Sequence, residues 1–293
     1  MRKILVLSLA IIILLGITSN GTFSYFSSPK NSTGNIFTAW VEEGCTCSMF
    51  NVSNNKGNPD NIFKYDASGA LVGSPFDLSA TNTSSQGVAS TDDYIYVLDL
   101  ADKQVYRYSC CGIPQGVSRG LKPKVGTKSI ANPIGLAIDG NEMWVVSAND
   151  KMIYLYSLSA AFDGTGVPLP AAREIPLVDA NTGAAGLAID STYLYVVDYD
   201  NPSKETRFYQ YNRITGACGI GDISKVLLDG GGIALQSPAG AMFYGTSLWV
   251  VDSGTNKVYR YDNVASLFTD VSNPANANWE FPLHADNGDA SGM

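Results

Sequence analysis

The feature that constrains this chain most is a repeat of about fifty residues. Four segments share a glycine, a short apolar run, a tight turn and an aromatic residue nine positions after the glycine. The glycines are Gly87, Gly135, Gly186 and Gly240, which lie 48, 51 and 54 residues apart. Each segment continues into a second aromatic run, which reads VYRY, IYLY, FYQY or VYRY. Agreement at several offsets predicts structural repeats rather than chance similarity.

Each repeat is predicted to form four short strands, A to D. Strand A starts at the glycine and is apolar throughout, as in a strand packed on both faces, whereas strand C alternates, as in a half-exposed strand. Strand D ends in a leucine nine residues before a glycine, at Leu78, Leu177 and Leu283. A lone four-stranded antiparallel unit leaves both faces uncovered, so its copies have to pack around an axis. The pattern therefore predicts an all-β fold, a β-propeller of four-stranded antiparallel blades.

Five blades are visible, starting near residues 34, 87, 135, 186 and 240, and the predicted propeller spans residues 34–293. In the first blade, residues 34–40 are assigned to strand B, residues 61–66 to strand C and residues 75–78 to strand D. The pattern G-[LV]-A-[IV]-D followed by [YW]-V-V-D and [VI]-Y-[RL]-Y resembles NHL-like propellers, which implies the fold and no particular activity.

The last residues of the chain leave the number of blades open. Gly292 stands in the first position of the repeat, with one residue after it. These residues either pair with the first blade and close a five-bladed ring, or belong to the next blade of a larger ring. Because so short a segment makes a poor closing strand, we expect the second alternative, a fragment of a larger ring.

The N-terminus carries an export pattern. Arg2 and Lys3 precede an apolar run of 14 residues, from Ile4 to Ile17, interrupted only by Ser8, whereas crossing a bilayer takes about 20 residues. This pattern predicts a signal peptide over residues 1–20, and a retained membrane anchor is the alternative. After cleavage we expect no membrane span.

The segment that follows is more specific. Residues 21–33 form a signal-proximal segment, and the stretch GTFSYFSSPKNSTGNIFTAW, which ends at Trp40, continues into the first blade. This stretch resembles TasA and camelysin-like proteins, which are processed by SipW-type signal peptidases, although Trp40 stands where that pattern has glycine. The resemblance covers residues 1–40 and implies a secreted or cell-surface location.

Composition narrows the function. The chain has 19 Lys and Arg residues against 27 Asp and Glu, a net charge of −8, which excludes a generic nucleic-acid partner because phosphate binding depends on a basic surface. His284 is the single histidine, so a multi-histidine metal site is excluded. Nucleophile-elbow, phosphate-loop and HExxH motifs do not occur in the sequence. These observations favour a non-catalytic binding, adhesion or extracellular-matrix module with a protein or glycan ligand at the cell surface.

A metal-dependent propeller hydrolase or lactonase is the alternative function. Such an enzyme needs acidic and amide side chains that converge in the channel, whereas strand A carries no glutamate. Asp99, Asp198 and Asp252 recur twelve residues after their glycines, where strand B meets strand C. Aspartates in turns bind calcium or accept backbone N–H groups, and their recurrence favours the second role. We therefore expect no cofactor beyond a weak calcium site at these turns.

Cysteines and sequons complete the candidate sites. The five cysteines are Cys45, Cys47, Cys110, Cys111 and Cys218. A disulfide between the first two blades is feasible, a vicinal Cys110–Cys111 disulfide and a soft-metal site are alternatives, and the sequence does not fix the pairing. Sequons occur at Asn20, Asn31, Asn51 and Asn82, of which the last three are glycosylation candidates, with chance occurrence as the alternative.

The export pattern makes a direct prediction about the mature protein. We expect the secreted chain to start between Thr18 and Phe23, because the apolar run ends there and small residues follow. N-terminal sequencing of protein collected from the medium measures this. Secreted protein that still begins at Met1 would contradict the assignment.

Overall fold

The computed structural model describes residues 47, 50–55, 59–200, 205–218, 224–269 and 273–293. They form a five-bladed β-propeller of antiparallel sheets, which confirms the fold class predicted from the repeat. Within this part of the chain, no helix is both long enough and apolar enough to cross a membrane.

Blades 2 and 3 follow the predicted order, with strand A innermost and strand D outermost. The strands of blade 2 are β4 (Ser85–Ser90), β5 (Tyr94–Asp99), β6 (Gln104–Ser109) and β7 (Pro114–Val117). The strands of blade 3 are β9 (Pro133–Asp139), β10 (Glu142–Ser147), β11 (Met152–Ser157) and β13 (Arg173–Pro176). Helix α1 (Leu158–Ala161) lies between strands C and D of blade 3.

Blades 4 and 5 repeat this arrangement. The strands of blade 4 are β14 (Ala184–Ile189), β15 (Tyr193–Asp200), β16 (Glu205–Asn212) and β17 (Ser224–Leu228). The strands of blade 5 are β18 (Pro238–Tyr244), β19 (Ser247–Asp252), β20 (Lys257–Tyr261) and β22 (Trp279–Pro282). Helix α2 (Val264–Leu267) lies between strands C and D of blade 5.

Blade 1 combines strands from both ends of the described chain. Its strand A is β23 (Ala290–Gly292), which pairs with β1 (Phe50–Asn54) as strand B. Strands C and D are β2 (Asn61–Tyr65) and β3 (Phe76–Asp77), as predicted.

This pairing corrects two expectations. Because β23 closes a ring of five blades, the expectation of a larger ring is wrong. The strand B position belongs to β1 rather than to residues 34–40, which lie outside the described residues.

The glycines of the repeat form the narrowest part of the channel. A Cβ atom on Gly186 would lie 2.8 Å from Cα of Gly240, and one on Gly240 would lie 2.5 Å from the backbone N of Met293. A Cβ on Gly87 would lie 2.6 Å from the backbone N of Leu136, and one on Gly135 would lie 2.8 Å from the backbone N of Leu187. A Cβ on Gly292 would meet the backbone of β4, which completes the ring. The repeat therefore begins with glycine because five strands converge there backbone to backbone.

The aromatic residues at the ninth position of the repeat pack between blades. Trp144 is 1% exposed among residues of blades 3 and 4, and Trp249 is 2% exposed among residues of blades 5 and 1. In blade 1 the same position is held by Asn51, which is also buried. The large rings therefore fill the wedge between neighbouring sheets, except at the seam that blade 1 forms with blade 2.

The final tyrosine of every strand C bonds to the chain segment that arrives from the preceding blade. Tyr211 shows the pattern, since its hydroxyl accepts the N–H of Val178 and the Nδ2 of Asn181, both at 3.2 Å. Two further seams repeat this pair of bonds. The Tyr108 hydroxyl accepts the N–H of Ser79 and the Nδ2 of Asn82. The Tyr65 hydroxyl accepts the N–H of His284 and the Nδ2 of Asn287. The donors of this pair of hydrogen bonds are the second and fifth residues of the sequences LSATN, LVDAN and LHADN.

At the remaining two seams the tyrosine hydroxyl is a hydrogen-bond donor rather than an acceptor. Tyr156 donates to the carbonyl of Lys122 at 3.1 Å, and Tyr261 donates to that of Leu228 at 2.9 Å. A parallel pairing of two residues reinforces each seam. The pairs are β8 (Leu121–Lys122) with β12 (Leu169–Pro170), and β17 with β21 (Ala275–Asn276). Every seam thus has a hydrogen-bonded link besides its apolar packing.

The glycine ring can be tested with one methyl group. We expect Gly186→Ala to lower the free energy of unfolding by about 3 kcal/mol, because the new Cβ meets the backbone of blade 5, which cannot move independently. Urea denaturation followed by tryptophan fluorescence measures the change.

The matched control is Gly120→Ala, where no atom lies within 4 Å of the new Cβ. Its stability should stay within about 0.5 kcal/mol of the wild type. Equal effects of the two variants would show that the ring of glycines is not closely packed.

Candidate binding site at the channel

The glycine ring separates two cavities at the two ends of the channel. The channel well, of about 150 Å³, lies on the A–B face, where the turns between strands A and B are found. Its lining consists mainly of the residues that follow the glycines. They are Asn51, Val88, Ala89, Ser90, Leu136, Ala137, Ile138, Leu187, Ala188, Ile189, Ala241, Met242, Phe243 and Met293.

Most side chains that line the channel well are apolar. Ile138, Ile189 and Phe243 are half-buried in its wall. Its two polar side chains contact each other, since Asn51 donates through Nδ2 to Ser90 Oγ at 2.7 Å. A cavity of about 150 Å³ has room for a group the size of benzene. The side chains of the well suit an apolar group, and polar atoms also form part of its surface.

An open groove continues from the well on the same face. Phe243 lines both, and the groove runs between the A–B turns of blades 4 and 5 and helix α2, with a volume of about 520 Å³. Its polar residues are Asp190, Ser191, Thr246, Asn263 and Ser266. A ligand anchored in the well thus has space to extend along a mixed polar surface.

The opposite end of the channel is more polar. This cavity of about 280 Å³ includes Asn55, Gln86, Asp289 and Ser291 in its wall. Beside it, Ser291 Oγ lies 3.0 Å from Ser53 Oγ and 3.4 Å from Ser85 Oγ. The polar residues come from blades 1 and 2, where the repeat pattern is interrupted.

Asp60 is the most unusual residue at this end. Its side chain is fully buried, Oδ2 accepts the backbone N–H of Ser85 at 2.9 Å, and Oδ1 has no hydrogen-bond partner. Burial raises the pKa of Asp60, and the nearby charges of Asp99 and Asp289 add to the increase. The sequence pattern did not point to Asp60, because its position in the other repeats holds Lys, Thr or Asn.

The structure does not bring the three predicted metal ligands together. Asp99, Asp198 and Asp252 lie in three different blades, and in the described residues no cluster of three or more His, Cys, Asp or Glu could hold a metal ion. Each accepts backbone N–H groups of the loop that leads into strand A of its own blade. Asp252 accepts Gln236 at 2.6 Å and Ser237 at 2.9 Å. Calcium binding at a single turn stays a prediction.

A disulfide joins the first two blades, as the sequence allowed. Cys47 precedes β1 and is bonded to Cys110, at the end of strand C of blade 2, with 4.9 Å between the Cα atoms. The vicinal Cys110–Cys111 alternative is therefore wrong. Cys111 is also disulfide-bonded, Cys218 is half-buried next to Tyr211, and Cys45 lies outside the described residues.

Two of the candidate glycosylation sites are in the interior. Asn51 is 2% exposed and bonded to Ser90, and Asn82 is fully buried with its Nδ2 3.4 Å from the Tyr108 hydroxyl. A glycan on either nitrogen would require these contacts to open. Asn31 lies outside the described residues, so glycosylation there stays a prediction.

No protein-family model matches the chain, and no curated protein matches it. Solved structures share the fold at low identity. They include Myxococcus xanthus glutaminyl cyclase (12% identity, TM-score 0.48, 69% of this chain and 72% of that chain). A second is a chain of a nidogen–laminin complex (16% identity, TM-score 0.48, 83% of this chain and 96% of that chain). A third is streptogramin B lyase (11% identity, TM-score 0.42, 85% of this chain and 87% of that chain). Likeness at this level identifies neither a ligand nor an activity.

Burial of Asp60 predicts a pH dependence. Because the pKa of Asp60 is raised in the folded state, its contribution to the free energy of unfolding is largest at acid pH and is lost as the pH rises through that pKa. In Asp60→Asn this loss is absent. The stability of the variant relative to wild type should therefore increase between about pH 4 and about pH 7 in urea denaturation.

Asp66→Asn is the control with opposite sign. Asp66 is half-buried at the surface, and the hydrogen bond from the Ser68 hydroxyl lowers its pKa. The contribution of Asp66 to the free energy of unfolding is present at neutral pH and lost on acidification. The free energy of unfolding of this variant should therefore fall relative to that of the wild type as the pH rises. The same trend in both variants would show that burial does not raise the pKa of Asp60.

Proposed function

We propose that this protein is a secreted or cell-surface binding module without catalysis, and that it anchors its ligand in the channel well. The observation that carries the proposal is the apolar, benzene-sized well at the axis of the ring. A single apolar pocket surrounded by polar surface is typical of an anchor site in protein recognition. Because twelve of its fourteen lining residues are apolar, the well suits an apolar side chain of a protein partner better than a sugar.

Two observations support an extracellular location. The Cys47–Cys110 disulfide is of a type that persists in oxidising compartments. The segment up to Trp40 resembles the export region of TasA and camelysin-like proteins. We therefore include SipW-type processing in the proposal.

The chemistry of the well favours binding over hydrolysis. Hydrolysis needs a nucleophile or a metal-bound water together with a base. The polar side chains of the well, Asn51 and Ser90, bond to each other, and neither is next to a carboxylate in the lining. Asn51 and Ser90 therefore suit structural roles.

Cell binding tests the proposal. We expect fluorescently labelled secreted protein to bind saturably to the surface of the cells that produce it. Ile189→Gln should weaken this binding about tenfold or more, because it places an amide in the well. The control is Ile214→Gln, at a side chain that is 82% exposed in the strand C–D link of blade 4. Circular dichroism and thermal unfolding show that both variants are folded.

Two outcomes would contradict this function. One is binding that both variants retain equally. The other is turnover of lactones or esters that is lost on chelation, together with tight calcium binding in calorimetry. A calcium Kd on the order of 10⁻⁴–10⁻³ M would fit weak binding at the turn aspartates and leaves the proposal intact.

A further inference from the structure

The rim of the channel well is acidic in three consecutive blades. Asp139 directly follows Ile138 of the lining, and Asp190 directly follows Ile189. In blade 2, Asp92 and Asp93 form the A–B turn that begins after Ser90, and both are exposed. Carboxylates therefore surround the opening on the side of blades 2, 3 and 4.

One cation partly offsets this charge. Arg213 contacts Asp139 at 2.6 Å and Glu142 at 2.8 Å. These five carboxylates and one guanidinium leave a net charge of −4 (five negative, one positive). Two further arginines lie on outer strands. Arg107, on strand C of blade 2, lies 4.8 Å from the Tyr94 ring centre, and Arg173, on strand D of blade 3, donates to the backbone carbonyl of Arg213 at 2.7 Å. The rim thus keeps a negative potential.

Asp190 is held in place at the rim. Its Oδ1 accepts the N–H groups of Thr192 and Tyr193 at 2.7 Å, and its Oδ2 accepts the Tyr195 hydroxyl at 2.7 Å. These neutral donors fix the carboxylate and leave its charge. Because Asp190 also lines the groove, its field covers both the well and the path leading from it.

We propose that the well selects a cationic apolar ligand, a partner segment in which a large apolar side chain stands next to Lys or Arg. The apolar group fills the well, and the ammonium or guanidinium group lies among the rim carboxylates. This inference rests on the proposed function and names its partner class. An acidic segment with the same apolar residue would be repelled, so the rim supplies selectivity that the well alone lacks.

The expected size of the preference follows from Coulomb's law. In water, a net charge of −4 at a separation of roughly 8 Å gives a preference of about fifteenfold at 0.01 M salt for a cation over a neutral ligand of equal shape. The effect depends on salt, because the screening length falls from about 30 Å at 0.01 M to about 3 Å at 1 M. Preference at low salt that disappears at high salt is therefore its signature.

Three small probes with one phenyl ring test the inference. They are benzylamine, which is cationic at neutral pH, benzyl alcohol, which is neutral, and phenylacetate, which is anionic. In NMR titrations of the secreted protein at about 0.01 M salt, affinity should decrease in that order. At about 1 M salt the three affinities should converge.

A charge-matched pair of variants locates the effect. Asp92→Asn/Asp93→Asn should reduce the preference for benzylamine to about fourfold and leave the affinity for benzyl alcohol unchanged, because two rim charges are lost. The control, Asp179→Asn/Asp286→Asn, removes the same charge from exposed loops at the opposite end of the channel. It should keep the wild-type preference.

The outcomes separate the two proposals. Equal affinity for benzylamine and benzyl alcohol at low salt, or equal effects of the two double variants, would overturn the cationic preference while leaving the well as a binding site. Absence of binding by benzyl alcohol itself, at either salt concentration, would overturn the well as the anchor and with it this inference. Tighter binding of phenylacetate would reverse the assigned sign.

Discussion

Backbone contact among five glycines is the constraint on which the rest of this propeller depends. Each strand A touches the next one at a point where a Cβ would come within about 3 Å of main-chain atoms. The position of this contact fixes how far each blade reaches toward the axis. It also sets the floor of the channel well, because the lining residues are those directly after the glycines. Apolar residues of strand A line the cavities on both sides of this contact.

The seams between blades hold the inner strands in this position. At each seam a strand C tyrosine bonds to the incoming segment, either as acceptor, as for Tyr211, or as donor, as for Tyr261. Burial raises the pKa of all five of these phenols, so they stay neutral in the folded protein. Buried aspartates such as Asp99 bind the same segments by their N–H groups. The well is therefore formed by rigid strands rather than by mobile loops.

Sequence periodicity was sufficient for the blade type and for blades 2 to 5, because their strands repeat one local pattern. It failed for β1, where Asn51 and Ser53 replace the aromatic residue and the leucine or valine of the other blades. Their partners, Ser90 and Ser291, are distant in sequence, so no local pattern reveals why polar residues are tolerated there. The rim aspartates were visible as turn residues. Their common location became apparent only once the ring placed three A–B turns around one opening.

The pairing of β23 with β1 has a consequence for how the protein reaches its folded state. Contact between Ser53 and Ser291 spans 238 residues, so blade 1 can be completed only after all the other blades have been synthesised. Long-range pairings of this kind are made late and slowly, because loop-closure entropy opposes them. The Cys47–Cys110 disulfide can connect blade 1 to blade 2 much earlier. In an oxidising environment this disulfide would therefore hold blade 1 beside blade 2 before β23 pairs with β1.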